Sequence, residues 1–194
     1  MISAETIEKI FAALNKNIEL HKGTKISIVV CGGTALFVLD LVSRTTKDVD
    51  VLGLVDEKKG EISYLRKFPD WFLKSSDTVA RDFNLPDDWI NLGPAEQIKS
   101  GLPEGLFKRL TKKKYGKFLD VYFISRIDQI FFKLYASLDR GGYHVDDLWE
   151  LSPSKKELLN ASRWVLTQDM SAGFKSILIS FLKKFGYNEI AEKL

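Results

Sequence analysis

Apolar positions recur along this chain with two distinct periods. Ile7, Ile10, Phe11 and Leu14 are spaced three and four apart, which predicts a first amphipathic helix over Ala4–Leu20. Lys25–Cys31 (KISIVVC) is a near-continuous Ile/Val run, the mark of a strand buried on both faces. Gly32 and Gly33 break that run, and Ala35–Val42 resumes at helical period with Thr34 as a cap. Asp48–Val55 (DVDVLGLV) alternates as a second strand. Glu61–Ser75, with Ile62, Leu65, Phe68, Trp71 and Phe72, predicts a helix followed by a less regular region. Leu85–Lys99, with two prolines and a glycine, predicts loop and turn, anchored on the core by Trp89 and Ile90. A short basic run, Lys112–Lys114, precedes a third strand over Lys117–Ser125. Helical spacing then dominates in Ile127–Leu138, His144–Leu151, Ser154–Leu166 and Ala172–Phe185, with Ser154 and Glu157 set as a capping box. The pattern predicts an α/β or α+β core over residues 1–125 and a helical region over 126–194.

Composition narrows the chemistry. Of 194 residues, 45% are hydrophobic, enough for a core, and 29 basic against 26 acidic residues leave a net charge of +3. That balance does not describe a dedicated duplex-DNA binder. A single cysteine, Cys31, excludes an internal disulfide, and with only His21 and His144 a Cys- or His-based metal cage is not expected. Cys31 sits inside a valine run with no neighbouring histidine, so it reads as a core residue rather than a nucleophile. No stretch reads as a signal peptide or reaches the length of a membrane span, so a cytoplasmic location with no membrane partner is expected.

The candidate chemistry lies in Val30–Val51. Asp48 and Asp50 are one residue apart in a strand, so both project to one side, about 7 Å apart along the chain. Two carboxylates on one face repel unless a cation sits between them, and hard divalent ions such as Mg2+ are the natural occupants. Gly32 and Gly33, at a strand-to-helix turn, let backbone N–H groups approach an anion. Asp120 stands in the apolar frame of the third strand. It is either a strand-end residue facing solvent or a third carboxylate facing the pair. Gly141–Gly142 reads as a plain turn.

Together, Gly32–Gly33, Asp48, Asp50 and Asp120 resemble the DNA polymerase beta-like nucleotidyltransferase superfamily, and GGTAL with RTTKDVDV looks closest to the AbiE-type nucleotidyltransferase toxins. Lys133-x-x-Ala136, Arg140 and Asp146–Asp147–Leu148 follow the order of a helical AbiE motif, although His144 stands where the first of its two acids would fall. The resemblance implies a nucleotidyltransferase-type mixed sheet with flanking helices and a C-terminal helical region. It implies Mg2+ or Mn2+ held by Asp48, Asp50 and Asp120, and an NTP held by Gly32, Gly33, Thr34, Arg44 and Lys133. The expected reaction moves a nucleoside monophosphate onto a hydroxyl of RNA, protein or a small molecule, in a protein that could belong to a toxin–antitoxin pair. The alternative is an inactive nucleotidyltransferase-fold module that acts through an antitoxin-like protein partner. For Lys133 and Arg140 the alternative to a phosphate clamp is an exposed helix face partnered by Asp139 and Asp146.

Overall fold

The structure, a computed structural model, describes residues 4–42, 46 and 48–194. Helix α1 (Ala4–Leu20) leads into strand β1 (Ile26–Cys31), and α2 (Gly32–Val38) follows with no intervening loop. Strands β2 (Val49–Asp56) and β3 (Glu61–Ser63) form a hairpin, followed by α3 (Asp70–Phe83), β4 (Ile90–Asn91) and the short α4 (Gln97–Ser100). Strands β5 (Thr111–Lys114) and β6 (Leu119–Phe123) form a second hairpin. The rest is helical: α5 (Arg126–Asp139), α6 (Tyr143–Glu150), α7 (Lys155–Gln168), α8 (Ala172–Lys184) and α9 (Asn188–Ala191). This is a mixed α/β fold with a C-terminal helical region.

Among the described residues, six strands form one sheet in the order β3-β2-β1-β6-β5, with β4 pairing β2 beside this path. Strand β1 is central, antiparallel to β2 and parallel to β6. Because side chains alternate along a strand, one face of the sheet carries Ile26, Ile28, Val30, Val49, Val51, Leu119, Val121 and Phe123, all in the main core. Ile7, Ile10, Phe11, Leu14 and Ile18 of α1 and Phe72, Val79 and Ala80 of α3 join that core, as do Ala35, Phe68, Trp89 and Ile90. The Trp89 indole is fully buried and donates to the Ser76 carbonyl at 3.1 Å, so the Trp89–Ile90 anchor exists as expected.

Two segments depart from the expected pattern. Residues 61–63 pair as a strand rather than opening a helix, and helix α3 begins only at Asp70. Pro69 explains the boundary: a proline disfavours helical backbone in the residue before it, yet is well placed at a helix start. The basic run Lys112–Lys114 is itself a strand, held by its antiparallel register with β6. The chain forms two compact units: residues up to Lys99 with Gly105–Ile124, and Ser100–Glu104 with Ser125–Leu194. In the second unit, α7 carries the expected capping box, Ser154 with Glu157, and Arg126 of α5 binds Glu157 at 2.8 Å and the Leu151 carbonyl at 2.6–2.9 Å.

Candidate active site

At the C-terminal end of β1 the chain turns directly into α2, and Gly32 takes φ +66°, a left-handed conformation that costs little only for glycine. A side chain could not fit there, because a Cβ on Gly32 would run into the Asp50 carboxylate. The register accounts for the closeness: Asp50 lies directly across from Cys31. The strand holding the acids is fixed at its start by two hydroxyls, Thr34 Oγ1 at 2.6 Å and Thr46 Oγ1 at 3.0 Å, both donating to the Asp48 carbonyl. Cys31 is buried and its thiol lies 3.6 Å from the Asp50 carbonyl, as suits a core residue. Asp48 and Asp50 are half-buried, whereas Gly33 and Thr34 are buried. The glycine turn and both aspartates therefore meet at one end of the sheet. Thr34, expected on a phosphate, uses its hydroxyl to position Asp48. Arg44, expected as a second phosphate contact, lies outside the described residues.

Asp120 does not join them. It pairs with Ser27 of β1, whereas Asp50 pairs with Cys31, so the two acids sit four residues apart along the central strand. At the rise of an extended chain that is roughly 13 Å, with β1 also between them. Nor does Asp120 face solvent. Its side chain is 1% exposed and its Oδ2 lies 2.9 Å from Lys25 Nζ and 3.0 Å from Lys112 Nζ. Lys112 also reaches Glu57 at 2.8 Å, and the Tyr122 hydroxyl donates to the same carboxylate. Burial pushes the Asp120 carboxyl up, but the ammonium groups of Lys25 and Lys112 beside it outweigh that and hold the group below its ordinary value. Hydrogen bonds from Lys112 and Tyr122 bring Glu57 down to about 2. Asp120 is thus an anchor in an ion network that ties β5 and the start of β1 to β6. Sequence reasoning missed this network because Lys112 meets Asp120 only through the β5–β6 register.

In the second unit, Lys133 is neither solvated nor paired with Asp139 or Asp146. It is 4% exposed, and its Nζ lies 2.7 Å from Asp147 Oδ2 on α6. The Ser137 hydroxyl donates to the Lys133 carbonyl at 2.7 Å, and the Tyr143 ring centre is 5.8 Å from the ammonium. His144, at the position of the expected acid, is buried on the same short helix. Arg140 is exposed and turns to its neighbour Asp139 at 3.6 Å.

The mixed sheet, the glycine turn and the adjacent Asp-x-Asp strand are the features on which the nucleotidyltransferase expectation rests. The chain belongs to the family described as "Nucleotidyltransferase of unknown function (DUF6036)", whose model matches residues 5–148. The match takes in all six strands, both aspartates of β2 and its leading edge, Lys133 and Asp147. No curated protein and no solved structure matches the chain. Among the described residues, no helix is long and apolar enough to cross a membrane.

Proposed function

We propose that this protein moves a nucleoside monophosphate from an NTP to a hydroxyl acceptor, using the sheet end formed by Gly32, Gly33, Asp48 and Asp50. A bond forms from the acceptor oxygen to the α-phosphorus as the hydroxyl proton is lost, and the bond to the β-phosphate breaks to release pyrophosphate. The observation that carries the reading is the packing of Gly32 against the Asp50 carboxylate. It puts an anion-tolerant turn directly beside two acids that would otherwise repel a polyphosphate. A divalent cation resolves that conflict. Among the described residues, no three acids, histidines or cysteines are grouped to hold a metal. Two carboxylates still fit Mg2+, which keeps several waters and takes its remaining ligands from substrate phosphates. Asp48 and Asp50 would hold the ion, and when bound it would supply charge stabilisation at the transferred phosphoryl group. The missing side chain of Gly32 lets the turn lie against the Asp50 carboxylate, and Thr34 and Thr46 keep the Asp48 backbone in register. AbiE-type kinship and a toxin–antitoxin setting belong to the same proposal, on the strength of the GGTAL and RTTKDVDV strings.

A second reading has its own support. With Asp120 locked to two lysines, the site has two carboxylates instead of three, as suits a module that binds nucleotide or a protein partner without turnover. One experiment separates the two. Mg2+ and NTP together should raise the melting temperature, by about 2.7 kcal/mol of stabilisation at a hundredfold excess over Kd, while Mg2+ alone gives a small shift. Asp50→Asn should abolish the shift, and transfer of label from α-labelled NTP to RNA or protein marks the enzyme. A full shift without transfer to any acceptor supports the binding module; an undiminished shift in Asp50→Asn refutes the site itself.

A further inference from the structure

We propose that the sheet edge formed by β5 and its flanking residues, 108–117, docks the phosphate backbone of a single nucleic-acid strand. The segment carries Lys108, Arg109, Lys112, Lys113, Lys114 and Lys117, and no acid occurs anywhere in residues 105–119. Every residue of β5 is exposed, as are Lys108 and Lys117. Lysines on an edge strand commonly guard it against pairing with another sheet. That role explains the strand itself but not the cations beyond both its ends. The six are also not equivalent. Lys112 is taken up by Glu57 and Asp120, and Lys113 by Glu8 at 2.9 Å, so these two hold the edge in place. Among the described residues, no ion pair engages Lys108, Lys114 or Lys117. Three charges outside any ion pair therefore lie along this edge and its two flanks.

The register gives the edge a direction. Lys114 lies beside Asp120 and Thr111 beside Phe123, while Phe123 lies beside Val30, one residue short of Cys31 and its partner Asp50. Passing from Lys114 towards Lys108, the edge climbs to the height of the two aspartates, three strand spacings or about 14 Å to the side. A strand docked along it brings its terminus to the level of the candidate site. An anionic membrane is the poorer partner: among the described residues the exposed large apolar side chains are Leu20, Ile127, Tyr143, Met170 and Ile177, none of them in this segment, so nothing there would insert into lipid.

The proposal rests on the nucleotidyltransferase reading only for what the docked terminus meets. The test is fluorescence anisotropy of the full chain with a labelled 20-nucleotide oligouridylate across a KCl series. Three phosphate contacts predict a slope of log K against log salt of about −2, since each contributes about 0.7 for a single strand. Lys108→Ala/Lys114→Ala/Lys117→Ala should flatten the slope and weaken binding tenfold or more at low salt. The control Lys155→Ala/Lys183→Ala/Lys184→Ala, on the second unit, should change neither. No binding at 50 mM salt, an equal loss in the control, or capture of phosphatidylserine vesicles in place of the oligonucleotide overturns the docking edge. The Mg2+–NTP melting shift, measured on the same samples, separates the two readings. A retained shift without oligonucleotide binding removes the docking edge alone, and a salt slope lost in the triple variant upholds it even where no nucleotide shift occurs.

Discussion

Replacing Lys133 with alanine should destabilise the second unit by about 3–5 kcal/mol, the cost of breaking a buried ion pair by removing one of its members. The magnitude follows from burial. Lys133 and Asp147 side chains are 5% and 1% exposed with Nζ and Oδ2 2.7 Å apart, whereas an exposed pair is worth only about 0–1 kcal/mol. Removing both charges is a different perturbation. Lys133→Met/Asp147→Leu replaces the pair with apolar groups of similar volume, a change that is often neutral or stabilising by about 1–4 kcal/mol. Urea denaturation provides the assay, with Trp149 on α6 and Trp164 on α7 reporting from within this unit. A loss below about 1 kcal/mol for Lys133→Ala would refute the argument, because it would mean that water reaches the pair. The double variant then asks why the chain keeps so costly a pair. If it folds as stably as wild type but loses the Mg2+–NTP melting shift, the ammonium serves nucleotide binding. If it keeps the shift, the pair is a device of helix packing.

Three further outcomes concern the first unit, one of them with a control on the second. Gly32→Ala should cost more than about 2 kcal/mol, combining about 1–2 kcal/mol for a left-handed alanine with the Cβ overlap on Asp50, while Gly173→Ala on α8, with open space around it, should be neutral or stabilising by up to about 1 kcal/mol in thermal denaturation. Asp120→Asn should destabilise the fold yet leave the Mg2+–NTP shift intact; a variant that folds normally and loses the shift would return Asp120 to the metal site. Acid should weaken the β5 network. Asp120 and Glu57 titrate below their unfolded values near 3.9 and 4.3, so their contribution is full above about pH 5 and declines as pH falls, towards about 2 for Glu57. Melting curves between pH 6 and pH 3 should therefore be flatter for Asp120→Asn than for wild type.

The elements legible in the sequence are those whose own residues carry the period. The Ile/Val run of β1, the alternation of β2 and the apolar stripes of α1, α5, α7 and α8 come from burial, and burial writes itself into composition. Strand β5 has no such record. Its four residues, TKKK, are all exposed, and it is a strand only because β6 offers a free edge. Within the site, Gly32 and the two aspartates were legible because a turn and the adjacent antiparallel strand bring them together locally. Asp120 divides the question more finely. Period-two alternation correctly places it on the same face of the sheet as Asp50, since Ser27 and Cys31 share that face of β1. Its height along β1 is set by register, which depends on how residues 111–124 align against a distant strand and leaves no trace in the DVYF frame itself. A shift of four residues is invisible to alternation, yet it separates a neighbour of the glycine turn from an anchor of the edge strand. The same register that sets Asp120 apart from Asp50 commits it to Lys112, so the third acid of the motif supports the basic edge strand and not the sheet end where the glycine turn and Asp50 meet.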